Sequence, residues 1–169
     1  MQVLETERLI LRRLELNDAA FVLELATEPA WLRFIGDRGI RDLETARGYL
    51  ERGPLDLYRR LGFGLYRVEI KAEGTPVGIC GLIKRDTLKE VDIGFAFLSR
   101  YHGRGYALEA AAATLEHGRR AFGLRRIAAI TDPANARSIR LLEKLGFRYL
   151  ETLHLPPNGQ ENRYYVHDA

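Results

Sequence analysis

Cysteine occurs once in this chain, at Cys80. A lone thiol excludes an intrachain disulfide and a cysteine-rich zinc site. It lies in the apolar run Val77-Gly-Ile-Cys-Gly-Leu-Ile83, the setting of a buried structural thiol rather than a nucleophile. No pair among the four histidines has metal-ligand spacing, so no metal is expected. No apolar run is long enough to span a bilayer, and Met1-Gln-Val-Leu-Glu-Thr-Glu-Arg8 lacks the apolar segment of a signal peptide. The expectation is a cytoplasmic protein without a membrane partner. Lysine is scarce, at Lys71, Lys84, Lys89 and Lys144 only, so arginine carries most of the positive charge. Neither sign dominates: 26 basic against 23 acidic residues leave a net charge of +3. The arginines are interleaved with acids along the chain, the pattern of a solvated surface rather than of a nucleic-acid footprint.

What is present fits one domain over residues 1–169, long enough for a proper core. Residues 7–14 alternate as a first strand. Asn17 is placed to cap a helix over 18–27, which Pro29 ends. Asp42 can cap a second helix over 43–52, and Gly53-Pro54 separates it from a short helix over 55–61. Residues 63–71, 76–85 and 90–98 read as strands joined by short turns, an antiparallel meander. A helix over 108–122 and a buried strand over 126–131 follow, an order that implies a right-handed crossover and a parallel pair. Asn135 can cap a helix over 136–145 stopped by Gly146, and residues 147–155 and 162–167 form a closing hairpin across Pro156-Pro-Asn-Gly159. The fold class is α/β (α+β): a mixed, mostly antiparallel sheet of about seven strands, helices on both faces, and one parallel central pair.

The stretch from Glu90 to Phe122 carries the functional signal. A strand feeds a helix through Ser99-Arg-Tyr-His-Gly-Arg-Gly-Tyr-Ala107. Such a turn leaves several backbone N–H groups unpaired at the positive end of a helix, and its two glycines let a ligand approach the backbone. A phosphate-bearing ligand is implied. The chain has no Gly-Lys-Ser/Thr ending of a Walker A loop, and Gly103-x-Gly105 is followed by Leu108 where a dinucleotide fingerprint needs glycine.

A third pattern fits. Arg100-x-x-Gly103-x-Gly105-Tyr106-Ala107 resembles the Q/R-x-x-G-x-G/A pyrophosphate loop of the GNAT N-acetyltransferase superfamily. Asn135-Ala-Arg-Ser138-Ile-Arg-Leu-Leu-Glu-Lys-Leu-Gly-Phe147 resembles its asparagine-led helix ending in Leu-Gly-Phe. Thr6-Glu-Arg-Leu-Ile-Leu-Arg12 and Asp92-Ile-Gly-Phe95 are similar to the branch that acetylates protein N-termini, including those of ribosomal proteins. The resemblance covers nearly the whole chain in the right order.

It implies acetyl-CoA as co-substrate, with no metal. Backbone amides from Arg100 through His102, Gly103, Arg104, Gly105 and Tyr106 to Ala107 would hold the pyrophosphate, with charge added by Arg100 and Arg104. The strand edge at Phe97 and Leu98 would pair with the pantetheine arm, and one of those amides would serve as the oxyanion donor. The base falls to Asp92 or Glu90, since residues two apart on a strand share one face. The glutamate that some members carry on the next strand is here Ile130. The helix tyrosine that many use as acid is replaced by a stretch holding Ser138, Leu141 and Leu142, and Ser138 matches the serine of the ribosomal-protein branch, where a hydroxyl meets the CoA sulfur. Asn135 would both cap its helix and contact the cofactor. Trp31, Phe34, residues 36–41, Tyr66 and residues 155–161 should border the acceptor groove. The acceptor is an amine, a protein N-terminus or a small molecule, used by a monomer or homodimer. A non-catalytic CoA-binding sensor on the same fold stays open, because the strand glutamate and helix tyrosine are absent.

Overall fold

The computed structural model describes residues 1–169. Eight strands form one sheet in the order β1-β2-β3-β4-β5-β6-β8-β7. They are β1 (Gln2–Glu5), β2 (Leu9–Arg13), β3 (Leu65–Ile70), β4 (Thr75–Ile83), β5 (Asp92–Phe97), β6 (Arg126–Thr131), β7 (Arg148–Leu155) and β8 (Gln160–Asp168). The helices are α1 (Ala19–Ala26), α2 (Pro29–Phe34), α3 (Leu43–Arg52), α4 (Pro54–Leu61), α5 (Tyr106–Phe122) and α6 (Ala136–Lys144). All neighbouring strands run antiparallel except β5 and β6. The expected mixed sheet with one parallel central pair is therefore present, with eight strands in place of about seven. The additional strand is β1, whose four residues are too few to give a readable alternation.

Alternation along β4 divides the core between the two faces of the sheet. Cys80 and Leu82 join Ala110, Ala111 and Leu115 of α5, while Ile79 joins Leu25 of α1, Trp31 of α2 and Leu50 of α3. The buried residues of α5, Ala110, Ala111, Thr114, Leu115 and Gly118, recur at helical spacing and are mostly small, which lets the helix lie close on the sheet. A Cβ on Gly118 would stand 3.0 Å from Leu82. Burial pushes the Cys80 thiol up to about 12, as befits a structural group.

Two local expectations change. Asn17 does not cap α1. The chain enters that helix through a 3-10 turn, and Asp18 occupies the cap position with its side chain turned to other partners. Pro29 opens a short helix instead of merely ending one, a role that suits a residue without an N–H to satisfy. Asp42, by contrast, caps α3 through the Thr45 amide as expected, at 2.8 Å.

Asp18 ties the first helix to the sheet. Its buried carboxylate accepts from Arg12 at 2.8 and 3.0 Å, from Arg67 at 3.0 Å and from the Glu15 amide at 2.8 Å. Burial raises its pKa, but the Arg12, Glu15 and Arg67 donors outweigh burial and hold it below the ordinary carboxylate range. A depressed carboxyl stabilises the fold above its unfolded pKa, and that stability is lost as pH falls through the folded value. Asp18→Asn should cost roughly 2–4 kcal/mol at neutral pH, because two arginines lose a buried partner. It should also flatten the acid limb of stability; urea unfolding at neutral and acid pH measures both.

Candidate active site

Gly103 and Gly105 shape the turn before α5. Both adopt left-handed backbone, with φ of 77° and 83°. No backbone acceptor inside the chain meets the amides of residues 103–108, and the first of the following amides to find one is Glu109, on the Gly105 carbonyl. The α5 N-terminus therefore offers a cluster of donors at its positive end. Arg8 holds this turn from the side. Its Nη1 donates to the Arg104 carbonyl at 2.9 Å, its Nε pairs with Glu109 at 2.7 Å, and its guanidinium lies 4.6 Å from the centre of the Tyr106 ring. Thr6 and the Arg8 amide also donate to Glu109, at 2.5 and 2.9 Å. The Thr6-Glu-Arg8 motif is thus a clamp on the turn, a role the sequence did not disclose.

β5 and β6 separate soon after they meet. Their pairing is confined to Asp92 opposite Ala128, where the Ala128 amide donates to the Val91 carbonyl at 2.9 Å. Beyond that point β5 still follows β4 but leaves β6. Leu98 donates its amide to Val77 on β4 at 2.9 Å. Antiparallel alternation then aims the peptide groups of Phe95 and Phe97 away from β4, into the gap. His102 meets the Phe97 carbonyl through Nε2 at 2.9 Å.

Two cavities of about 370 Å³ each open along this gap. One runs from Phe97, His102 and Ala107 to Ser138; the other runs from Ser138 to Asp92, Arg85 and the β7–β8 turn. They share Trp31, Phe34, Ile35, Phe95, Ala96, Asn135 and Ser138, so they form one channel with a waist. At the waist the Asn135 side chain caps α6 by accepting from the Ser138 amide at 3.2 Å. In the second chamber Asp92 is fully buried, and burial pushes its carboxyl up to about 6 even though Arg85 stands 3.2 Å away. A carboxylate poised near neutral pH in a cleft can take a proton from an amine.

Several expected site residues lie elsewhere. Glu90 precedes β5 in a bend and takes no part in the chamber wall; it stands near Arg126 and Tyr164 instead. Leu98 is buried and has given its amide to β4, so it has no donor for a ligand; Phe95 is the residue whose peptide group shares the aim of Phe97. The Arg100 guanidinium is paired with Glu24 of α1 at 2.8 Å, and Arg104 lies over Tyr101. Tyr66 is core, stacked on Tyr58, and does not border the groove. Gly103, Gly105, Tyr106, Ala107, His102, Asn135, Ser138 and Asp92 do lie along the turn or the channel. Arg38 lines the chamber from the 36–41 loop expected to border it, whereas the chamber walls Tyr49, Arg85 and Asn162 went unread, since nothing local in the sequence marks them.

Known proteins agree with this arrangement. Residues 8–148 match the Acetyltransferase (GNAT) domain family. YkkB of Bacillus subtilis (strain 168) is 33% identical over 155 residues, covering 89% of this chain and 87% of that protein. The N-acetyltransferase p20 of Bacillus licheniformis is 29% identical over 149 residues, covering 88% and 83%. Among solved structures, a GNAT-family acetyltransferase from Bacillus anthracis superposes with a TM-score of 0.81 at 28% identity, over 99% of this chain and 98% of that one. RimL, a ribosomal L7/L12 alpha-N-protein acetyltransferase in complex with coenzyme A, shares the fold with a TM-score of 0.84 at 16% identity, over 99% and 98%. With the family match spanning residues 8–148, and so both the splayed strand pair and the glycine turn, the chain belongs to the GNAT acetyltransferase family and is an acyltransferase.

Proposed function

We propose that this protein moves the acetyl group of acetyl-CoA to a primary amine, a protein N-terminus or a small molecule, by direct attack. The observation that carries the reading is the continuity of the channel, from unpaired turn amides at one end to a buried carboxylate at the other. The residues present fit the co-substrate: donors cluster where a pyrophosphate would lie, and open space surrounds Gly103. When bound, acetyl-CoA supplies an acyl group activated as a thioester.

The chain's own groups then divide the work. The amides of residues 103–108 hold the phosphates, and Arg8 fixes their geometry. The peptide groups of Phe95 and the Phe97 amide, turned away from β4, align the extended arm, and a strand amide at this edge donates to the carbonyl oxygen as charge develops there. The amine nitrogen bonds to the acetyl carbon as the carbon–sulfur bond breaks. Asp92 takes the amine proton, directly or through water. The Ser138 hydroxyl, at the waist, donates to the departing sulfur.

Calorimetry with acetyl-CoA should show binding that NAD and ATP do not reproduce; no binding would sink the reading. Gly105→Glu should weaken acetyl-CoA binding roughly 100-fold, because it strains left-handed backbone and sets a carboxylate among the phosphate donors. Arg8→Ala should raise KM for acetyl-CoA roughly tenfold with little change in kcat, and Arg8→Lys should recover part of it, since an ammonium keeps the charge but not the fork of donors. The kcat/KM for the amine should fall as pH drops through about 6 and Asp92 becomes protonated. Asp92→Asn should lower kcat/KM about 100-fold and remove that acid limb; a pH profile that keeps it would assign the base elsewhere.

A further inference from the structure

The acceptor chamber has one wall with more hydrogen-bond donors than the protein itself uses. Arg85, just after β4, pairs with Asp92 through Nε alone, at 3.2 and 3.3 Å from the two carboxylate oxygens. Its Nη1 and Nη2 make no hydrogen bond within the chain. Arg38, in the loop after α2, joins no ion pair and lines the same chamber. Tyr49 of α3 lines the chamber with them, its ring edge-on to Trp31 with centroids 6.4 Å apart. Burial raises the pKa of its hydroxyl while Arg38 and Arg85 oppose the rise, as cations close to the oxygen must. The acids of the chamber, Asp92 and Asp132, lie apart from this trio in role. Asp92 is tied to the Arg85 Nε, and Asp132 accepts the Ala134 amide in the turn before α6.

We infer that the acceptor is an amine carrying a carboxylate close to its nitrogen, with the carboxylate on Arg85, Arg38 and Tyr49 and the nitrogen toward Asp92. This rests on the acetyltransferase reading above. Two arginine forks and a phenol suit a carboxylate, which accepts several charge-assisted hydrogen bonds at once. Arg85 and Asp92 are adjacent, so the anionic and basic ends of the acceptor must be separated by only a few bonds. A free α-amino acid satisfies this spacing, and so does a peptide whose first residue is aspartate or glutamate. A polyamine does not, because its second ammonium would face Arg38 and Arg85.

The test compares matched acceptors by thiol release: alanine with alaninamide and ethylamine, and peptides beginning with aspartate against the same peptides beginning with asparagine. In at least one set the carboxylate-bearing acceptor should exceed its neutral counterpart by about tenfold in kcat/KM. That ratio should drop about fivefold or more in Arg38→Gln and in Tyr49→Phe, with the KM for acetyl-CoA unchanged. The set showing the preference identifies the source, free amino acid or peptide. Equal use of neutral counterparts overturns the inference, as does a preference untouched by both variants. So does the absence of turnover in every set while acetyl-CoA still binds, a result that leaves the cofactor assignment standing. Failure to bind acetyl-CoA removes the acetyltransferase reading instead. The carboxylate site is then read by calorimetry alone, from N-acetylalanine against N-acetylalaninamide, and equal affinities overturn it.

Discussion

The brevity of the β5–β6 pairing is the constraint on which the rest of the molecule turns. The two strands run parallel and share only the register position of Asp92 and Ala128. A sheet that continued to pair there would satisfy every peptide group and leave no channel. By parting, the strands expose the inward-facing peptide groups of Phe95 and Phe97 and set Asp92 at the fork. The antiparallel strands on either side, β4 with β5 and β6 with β8, keep the opening from closing by fixing each lip to its own half of the sheet.

Chemistry along the channel changes in a useful order. The turn before α5 offers backbone donors and the positive end of a helix. The waist at Asn135 and Ser138 is neutral and polar. The far chamber holds an acid that burial has made reluctant to ionise. Arg85 moderates that reluctance through one nitrogen and leaves the rest of its fork to the chamber. One side chain therefore both tunes the Asp92 carboxyl and lends donors to the cleft, so an arginine-to-lysine exchange at this position is not conservative.

Much of this was legible where the signal is local. The caps at Asp42 and Asn135 and the strand Arg126–Thr131 follow from short stretches of sequence and appear as expected. The glycine turn was readable for the same reason. What escaped depends on partners distant in the chain. Leu98 and Phe97 differ only in strand parity, and parity is set by the register with β4, not by the residues themselves. Glu90 would share a face with Asp92 only on a strand that included both, and the strand begins at Asp92. Tyr49 of α3, Arg85 after β4 and Asn162 of β8 reach one chamber from separate parts of the chain, and no motif records that convergence.

The clamp of Arg8 on the turn has a consequence for motion. β1 and β2 stand at one edge of the sheet, where chains usually fray first. Yet the loop between them grips Glu109 and the Arg104 carbonyl across about a hundred residues of sequence. A ligand that orders the turn must also stiffen this edge, because the same guanidinium serves both. With a ligand on the turn, protection of the β1 and β2 amides against hydrogen exchange would accordingly rise, and this edge of the sheet would report what the turn before α5 holds.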